Sequence, residues 1–367
     1  MSTLPEPSPL CLADYEMLAA ERLAPGTWAY VSGGAADELT LQWNRSAFDN
    51  LMLLPRVLNG GPGGSARLSL LGRTYAHPIF VAPVAHQGLA HPDGERATAM
   101  AAAAQGAGMV LSTLASFSME AAAAAGETCR WFQLYMQPER EDTLRLVRRA
   151  ESAGYEALVV TVDAPVSGVR NRELRAGFRL PHELTPENLR GLARPHPAPA
   201  PGLDSMIFDH FMAIAPSWRD IAWLRESTKL PVVLKGIMSA DDATRALESG
   251  AAAIAISNHG GRTLDTVPAT IDVLPEIAER VGGRVPILVD GGIRRGTDVL
   301  KALASGATAV MIGRPIVYGL AVNGAMGVAH VLRLLRDEFE AAMALTGCRT
   351  LADIGPHLLR RRDARPT

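Results

Sequence analysis

The chain has 367 residues, 48% of them hydrophobic, and a formal net charge of −2. It lacks the basic surplus of a nucleic-acid binder, and no uninterrupted apolar run reaches the roughly 18 residues of a membrane span. MSTLPEPSPL lacks the regions of a signal peptide, and RRDARPT carries no peroxisomal tripeptide. Three distant cysteines, Cys11, Cys129 and Cys348, show no metal spacing, so the expectation is a cytoplasmic protein with reduced thiols and no metal.

Residues 1–77 read as an N-terminal extension, with a helical stretch LADYEMLAAERLA and a glycine-rich bend SGGAADELT. Eight short apolar runs follow, at 78–84, 108–113, 131–136, 157–163, 231–236, 253–258, 286–292 and 309–314. Between them lie helix-like stretches such as GERATAMAAAAQGA, REDTLRLVRRAESAG, ADDATRALESG and GTDVLKALASG, several closing on glycine. Strand alternating with helix predicts a parallel sheet. Eight such units predict one closed (β/α)8 TIM barrel over 78–347, in a single domain spanning 1–367.

The long connection after the fourth strand, about 164–220, interrupts the pattern. Its RPHPAPAPG is too rich in proline for a helix, and a lid or a disordered segment is expected. AHVLRLLRDEFEAAMALTG reads as an amphipathic helix ending at Gly347, with a tail at 348–367.

In such a barrel, chemistry sits at the C-terminal ends of the strands. Here those ends carry Ser112 and Thr113, Gln133 and Tyr135, Thr161 and Asp163, Lys235, Ser257 and His259, Asp290, then Gly313 and Arg314; the first ends at Pro83, Val84 and Ala85. Each has an ordinary reading: an Asp at a strand end is usually a helix cap, and a Lys is usually solvated. Their shared placement on one rim points to a site. In SNHGGR, His259 and Arg262 form either a base and anion clamp or a solvated loop. DGGIRRG after the seventh strand and GRP after the eighth fit a phosphate cradle of backbone N–H groups.

SNHGGRTLD, VDGGIRRG, GRP, WFQLY, VTVDAP and VLKG together resemble the FMN-dependent α-hydroxy acid oxidases and dehydrogenases, from about residue 12 to residue 355. The resemblance implies oxidation of an (S)-2-hydroxy acid to a 2-oxo acid with FMN, in a homo-oligomer of four or eight chains. It makes His259 the base and Asp163 its partner. Arg262, Tyr30 and a mobile Arg170 become carboxylate contacts, and Tyr135 a contact to the substrate oxygen. Lys235 falls beside flavin N1 and O2. Pro83, Val84, Ala85, Ser112, Gln133, Thr161 and Ser257 line the flavin. Asp290, Gly291, Gly292, Ile293, Arg294, Gly313 and Arg314 take the ribityl chain and phosphate.

Two positions depart from the family pattern. Leu114 stands where glycolate oxidases carry Trp, which widens the pocket and favours an apolar side chain over glycolate. Val31 stands where many members have a second aromatic residue. The expected acceptor is O2, giving H2O2. The alternatives are a quinone-type acceptor, an FMN-barrel isomerase, or a flavin-binding protein without turnover.

Overall fold

The computed structural model describes residues 9–126, 130–192, 202 and 204–362. Eight parallel strands close a barrel in sequence order: β1 (Ile79–Val81), β2 (Met109–Leu111), β3 (Arg130–Leu134), β4 (Ala157–Thr161), β5 (Val232–Ile237), β6 (Ala253–Ile256), β7 (Ile287–Val289) and β8 (Ala309–Ile312). β8 pairs back onto β1, with Met311 opposite Phe80. All eight expected runs hold a strand. Most stop short at the C-terminal end, where Ser257, Asp290 and Gly313 leave the ladder.

The barrel interior is solid. Phe80, Val110, Trp131, Val159, Val233, Leu288 and Met311 point inward, and small Ala157, Ala253, Ala255 and Ala309 make room for the two rings. Phe80 and Trp131 have centroids 5.1 Å apart. A hairpin, Leu68–Leu70 with Arg73–Tyr75, plugs the N-terminal end, and Tyr75 packs 4.5 Å from Phe80. With that end filled, the barrel itself opens at the opposite rim.

The N-terminal extension forms three helices, Leu12–Arg22, Pro25–Ser32 and Leu39–Asp49. It is stitched to the rim: Ala35 N–H donates to Gly261 O and Ala36 N–H to Val169 O, each at 2.7 Å. Helix Leu39–Asp49 has no cap of its own, because Glu38 at its N-cap is left-handed and makes no capping bond. Asp265 supplies one from the far side of the sequence, accepting from the N–H groups of Asp37, Leu39 and Thr40 at 3.1, 3.3 and 2.8 Å. Burial pushes its carboxyl up, but the backbone donors hold it below its ordinary 3.8. Its stabilisation is therefore complete above that value and lost as acid titrates the depressed folded carboxyl. Asp265→Ala is expected to cost about 1–3 kcal/mol by chemical denaturation at neutral pH, and much less in strong acid. An unchanged midpoint at pH 7 would remove this cap from the account.

The tail does not run free: Leu359–Arg361 pairs antiparallel with Leu51–Leu53. The lid connection is more ordered than its composition suggests, with a helix Asn171–Arg175, a 3-10 turn Glu187–Leu189 and a π-helical turn Ile207–Phe211. RPHPAPAPG, apart from Gly202, lies outside the described residues, as does Cys129. The last helix starts earlier than expected and runs Arg314–Leu345, broken at Asn323 and Gly324. By length and composition it is apolar enough to cross a membrane, but it is mostly buried, packed on Leu12–Arg22 and Gly94–Gln105 as a core helix.

Candidate active site

A cavity of about 200 Å³ opens at the C-terminal ends of the strands. Every residue marked from the sequence as a flavin or substrate contact lines it, except Ser257 and Asp163. Those two stand one layer behind. Ser257 Oγ accepts from Lys235 Nζ at 2.7 Å, and Asp163 Oδ1 lies 2.8 Å from His259 Nδ1.

The Asp163–His259 pair has a defined sense. Burial pushes the Asp163 carboxyl up, but His259 and Lys235 outweigh it and hold it below the usual carboxylate range. An ionised carboxylate only accepts, so Nδ1 carries the proton and donates to it. The other ring nitrogen, Nε2, has no hydrogen-bond partner among the described residues. The backbone is spent on this geometry: His259 has φ 56, a left-handed conformation uncommon outside glycine.

Lys235 is fully buried at the barrel centre. Burial lowers its pKa, but Asp290, with Nζ 3.0 Å from its Oδ2, and Asp163 more than offset this and hold the ammonium above its ordinary value. A register slip between Lys235 and Ile237 marks a bulge at Gly236. Its φ of +117 and closeness to Asp163 leave no room for a side chain, since a Cβ there would lie 2.5 Å from Asp163 Cβ.

Three of the four arginines that line the cavity are used differently from one another. Arg262 donates through Nη1 to Tyr30 O at 2.6 Å and Gly33 O at 2.9 Å, and its guanidinium lies 5.1 Å over the Tyr30 ring. Arg170 pairs with Glu173 at 3.0 Å, and its buried Nε lacks a partner among the described residues. Arg314 donates to the carbonyls of Val31, Gly260 and Gly33. Burial, with Arg262 beside it, lowers Arg314 to about 10. Tyr30 stacks on Phe178 with centroids 4.6 Å apart. Burial pushes the Tyr135 hydroxyl up to about 12, so it remains a neutral donor.

The residues fit FMN. Gln133 Nε2 is a buried donor with no acceptor among the described residues, suited to a flavin carbonyl. Lys235 puts a fixed cation on the cavity floor, where a reduced ring gathers negative charge. For the phosphate, the two glycine loops offer different groups. Helix Gly296–Ala304 is already capped: Asp298 accepts from the N–H groups of Arg294 and Arg295, and Glu338 from that of Gly296. Arg295 also pairs with Glu338, so only Arg294 of the basic pair lines the cavity. The anion-binding groups that remain among the described residues are the Arg294 side chain, the Gly291–Ile293 amides and the N-terminus of helix Arg314–Leu345.

A second cavity of about 550 Å³ adjoins the first. They share Leu114, Tyr135, Thr161, Arg170, His259 and Arg262, so the residues marked for substrate, apart from Tyr30, form the partition between them. Met136, Phe211, Met212, Ile214, Trp218 and Ile221 give it an apolar stretch of wall, beside the polar Gln137, Ser217 and Asp242. The sequence reading missed these, because most come from the lid connection and the helix after it, where no period or strand end marks them.

Comparison with known proteins agrees with this geometry. The family profile for FMN-dependent dehydrogenases matches residues 19–361. An L-lactate oxidase of Roseobacter sp. (strain GAI101) is 50% identical over 97% of this chain and 96% of that protein. Glycolate oxidase 1 of Zea mays is 46% identical over 93% of each. Among solved structures, a mandelate oxidase with benzoyl-formic acid superposes with a TM-score of 0.87 at 41% identity, covering 97% of this chain and 99% of that one. The chain therefore belongs to the FMN-dependent dehydrogenase family, as an enzyme that uses FMN to oxidise a 2-hydroxy acid to the 2-oxo acid.

Proposed function

We propose that the enzyme oxidises an (S)-2-hydroxy acid with an apolar side chain, lactate or larger ahead of glycolate, and passes the electrons to O2. The observation that carries this is the partition itself: His259, Arg170 and Arg262 line both cavities, and apolar side chains line the larger cavity beyond them. FMN, when bound, supplies the two-electron acceptor. The chain's own groups do the rest. The Nε2 of His259 takes the proton from the substrate, and Asp163 holds the imidazolium that results. Arg262, Tyr30 and Arg170 bind the carboxylate, and Tyr135 donates to the substrate oxygen. Lys235 offsets negative charge on the cavity floor. Relatives named L-lactate oxidase support the acceptor and the (S) configuration.

Leu114 sets the size preference in this reading. An aliphatic residue there removes bulk, and Phe211, Met212 and Ile221 continue the apolar wall beyond it. Each buried methylene is worth about 0.8 kcal/mol, close to fourfold in kcat/KM when realised in the transition state. Kinetics from glycolate to 2-hydroxyoctanoate are expected to place lactate above glycolate and longer apolar chains above lactate. Leu114→Trp is expected to reverse part of that order. A maximum at glycolate would refute the proposal. Failure to bleach the flavin with any 2-hydroxy acid would refute the catalytic assignment itself.

A further inference from the structure

SNHGGR contains a residue to which the chemistry above gives no task. Asn258 is 3% exposed, and it faces Asn44 of helix Leu39–Asp49, which is 1% exposed. The two amides are paired reciprocally. Asn44 Nδ2 donates to Asn258 Oδ1 at 2.9 Å, and Asn258 Nδ2 donates to Asn44 Oδ1 at 2.8 Å. Their neighbours settle which way each amide points. Asn258 Oδ1 also accepts from Gly261 N–H at 3.2 Å, and its Nδ2 also donates to Pro268 O at 3.1 Å. Asn44 Oδ1 also accepts from Thr270 N–H at 3.4 Å. The Asn258 amide thus makes all four of its hydrogen bonds inside the protein.

This pair touches both loops on which the reaction depends. On one side, the Asn258 side chain and carbonyl both accept from Gly261 N–H, closing the turn that contains His259 in its left-handed conformation. On the other, Asn44 backs the glycine pair of the phosphate loop. A Cβ on Gly292 would overlap the Asn44 carbonyl, and one on Gly291 would lie 3.2 Å from Asn44 Oδ1. The next residue, Arg45, donates to Gly292 O at 2.7 Å and pairs with Asp298, the cap of the following helix. A helix outside the barrel therefore bears on the loop after β6 and the loop after β7 through two adjacent residues.

We propose that Asn44 and Asn258 are a positioning unit that fixes His259 relative to the flavin phosphate loop. Neither side chain reaches the cavities, so the pair acts through the residues it holds. Its value lies in satisfaction: a fully bonded buried polar network has one low-energy arrangement, and removing either partner leaves the other's donor and acceptor unmet. Displacing a reacting group by about 1 Å costs on the order of 10²-fold in rate. This inference rests on His259 as the base.

The test uses the FMN-loaded enzyme and the variants Asn44→Ala, Asn258→Ala and their double, with lactate as substrate. Anaerobic stopped flow gives the flavin reduction rate at saturation, the substrate Kd and the isotope effect of 2-deuterated lactate. Each single variant is expected to lose on the order of 10²-fold in reduction rate with Kd within a few-fold of wild type. The isotope effect stays full or rises, and the double variant is no slower than the slower single one, as partners in one unit behave. FMN release is expected to speed up more in Asn44→Ala than in Asn258→Ala, because Asn44 backs Gly291 and Gly292 directly. Wild-type reduction rates with only a lower melting temperature would overturn the proposal, as would simple multiplication of the two rate losses. Where the alanine variants do not fold, Asn44→Asp keeps the acceptor for Asn258 and Thr270 and replaces the donor with a carboxylate oxygen set against Asn258 Oδ1. It too must slow reduction for the proposal to stand. Slow reduction in His259→Ala with normal reduction in all the Asn variants would defeat the positioning unit alone. Normal reduction in His259→Ala would defeat the reading beneath it.

Discussion

His259→Ala is expected to keep FMN bound and to lose about 10²–10⁴-fold in the rate at which a 2-hydroxy acid reduces the flavin. The retention follows from position. His259 lines both cavities, but the buried donors suited to the cofactor, on Gln133, Lys235 and the Gly291–Ile293 loop, lie elsewhere on the rim. The loss follows from the pair: only Nε2 faces the task, because Nδ1 is committed to Asp163 at 2.8 Å. Asp163→Asn is expected to slow the same step, because an amide removes the charge that supports the imidazolium. Its Oδ2 is buried and has no partner among the described residues, so the charge is focused on His259 and Lys235. Stopped-flow reduction under anaerobic conditions measures both variants. A normal rate in His259→Ala would mean that the proton leaves by another route.

Much of this was readable before the structure, for physical reasons. Parallel strands buried on both faces appear as near-continuous apolar runs, so all eight were found by residue type alone. Their ends were placed too far along, because Ser257, Asp290 and Gly313 are small or polar residues that still follow apolar ones. The rim residues were marked because they sit in compact motifs, and the cavity gathers them. What escaped is what depends on distant partners. Nothing near Leu39 shows that its helix is capped by Asp265, and nothing near Asn258 shows that Asn44 completes its bonding. The helix after β8 was expected only from Ala329 onward, where the amphipathic pattern begins. In the fold it starts at Arg314 and kinks at Asn323 and Gly324, which brings Gly319 and Gly327 too close together for a side chain. Arg314 reads as a phosphate ligand, yet three of its bonds go to carbonyls of the extension and the SNHGGR loop. Two of its five N–H donors are left for an anion, a division that only the fold reveals.

Arg262→Met is expected to lower kcat/KM by about 2–5 kcal/mol, roughly 30-fold to several-thousand-fold, the usual cost of truncating one partner of a buried hydrogen-bonded charge pair. The geometry shows which part of the guanidinium is at stake. Nη1 is spent on Tyr30 O and Gly33 O, which leaves the Nε and Nη2 edge without an acceptor among the described residues. That edge presents two parallel N–H donors, the arrangement that matches a carboxylate. Burial pushes the Arg262 pKa down; Tyr30 opposes this, while the neighbouring Arg170 adds to it. A substrate carboxylate therefore brings the anion this pair of cations lacks, and binding and turnover depend on it together. Arg262→Lys keeps a charge but loses the two-point edge and one of the ties to the extension, so it is expected to fall between wild type and Arg262→Met. The matching change on the substrate separates charge from shape. Wild-type enzyme is expected to prefer a 2-hydroxy acid strongly over its amide, and Arg262→Met to lose most of that preference. Equal rates for acid and amide in the wild type would mean that Arg262 holds the N-terminal extension and nothing else.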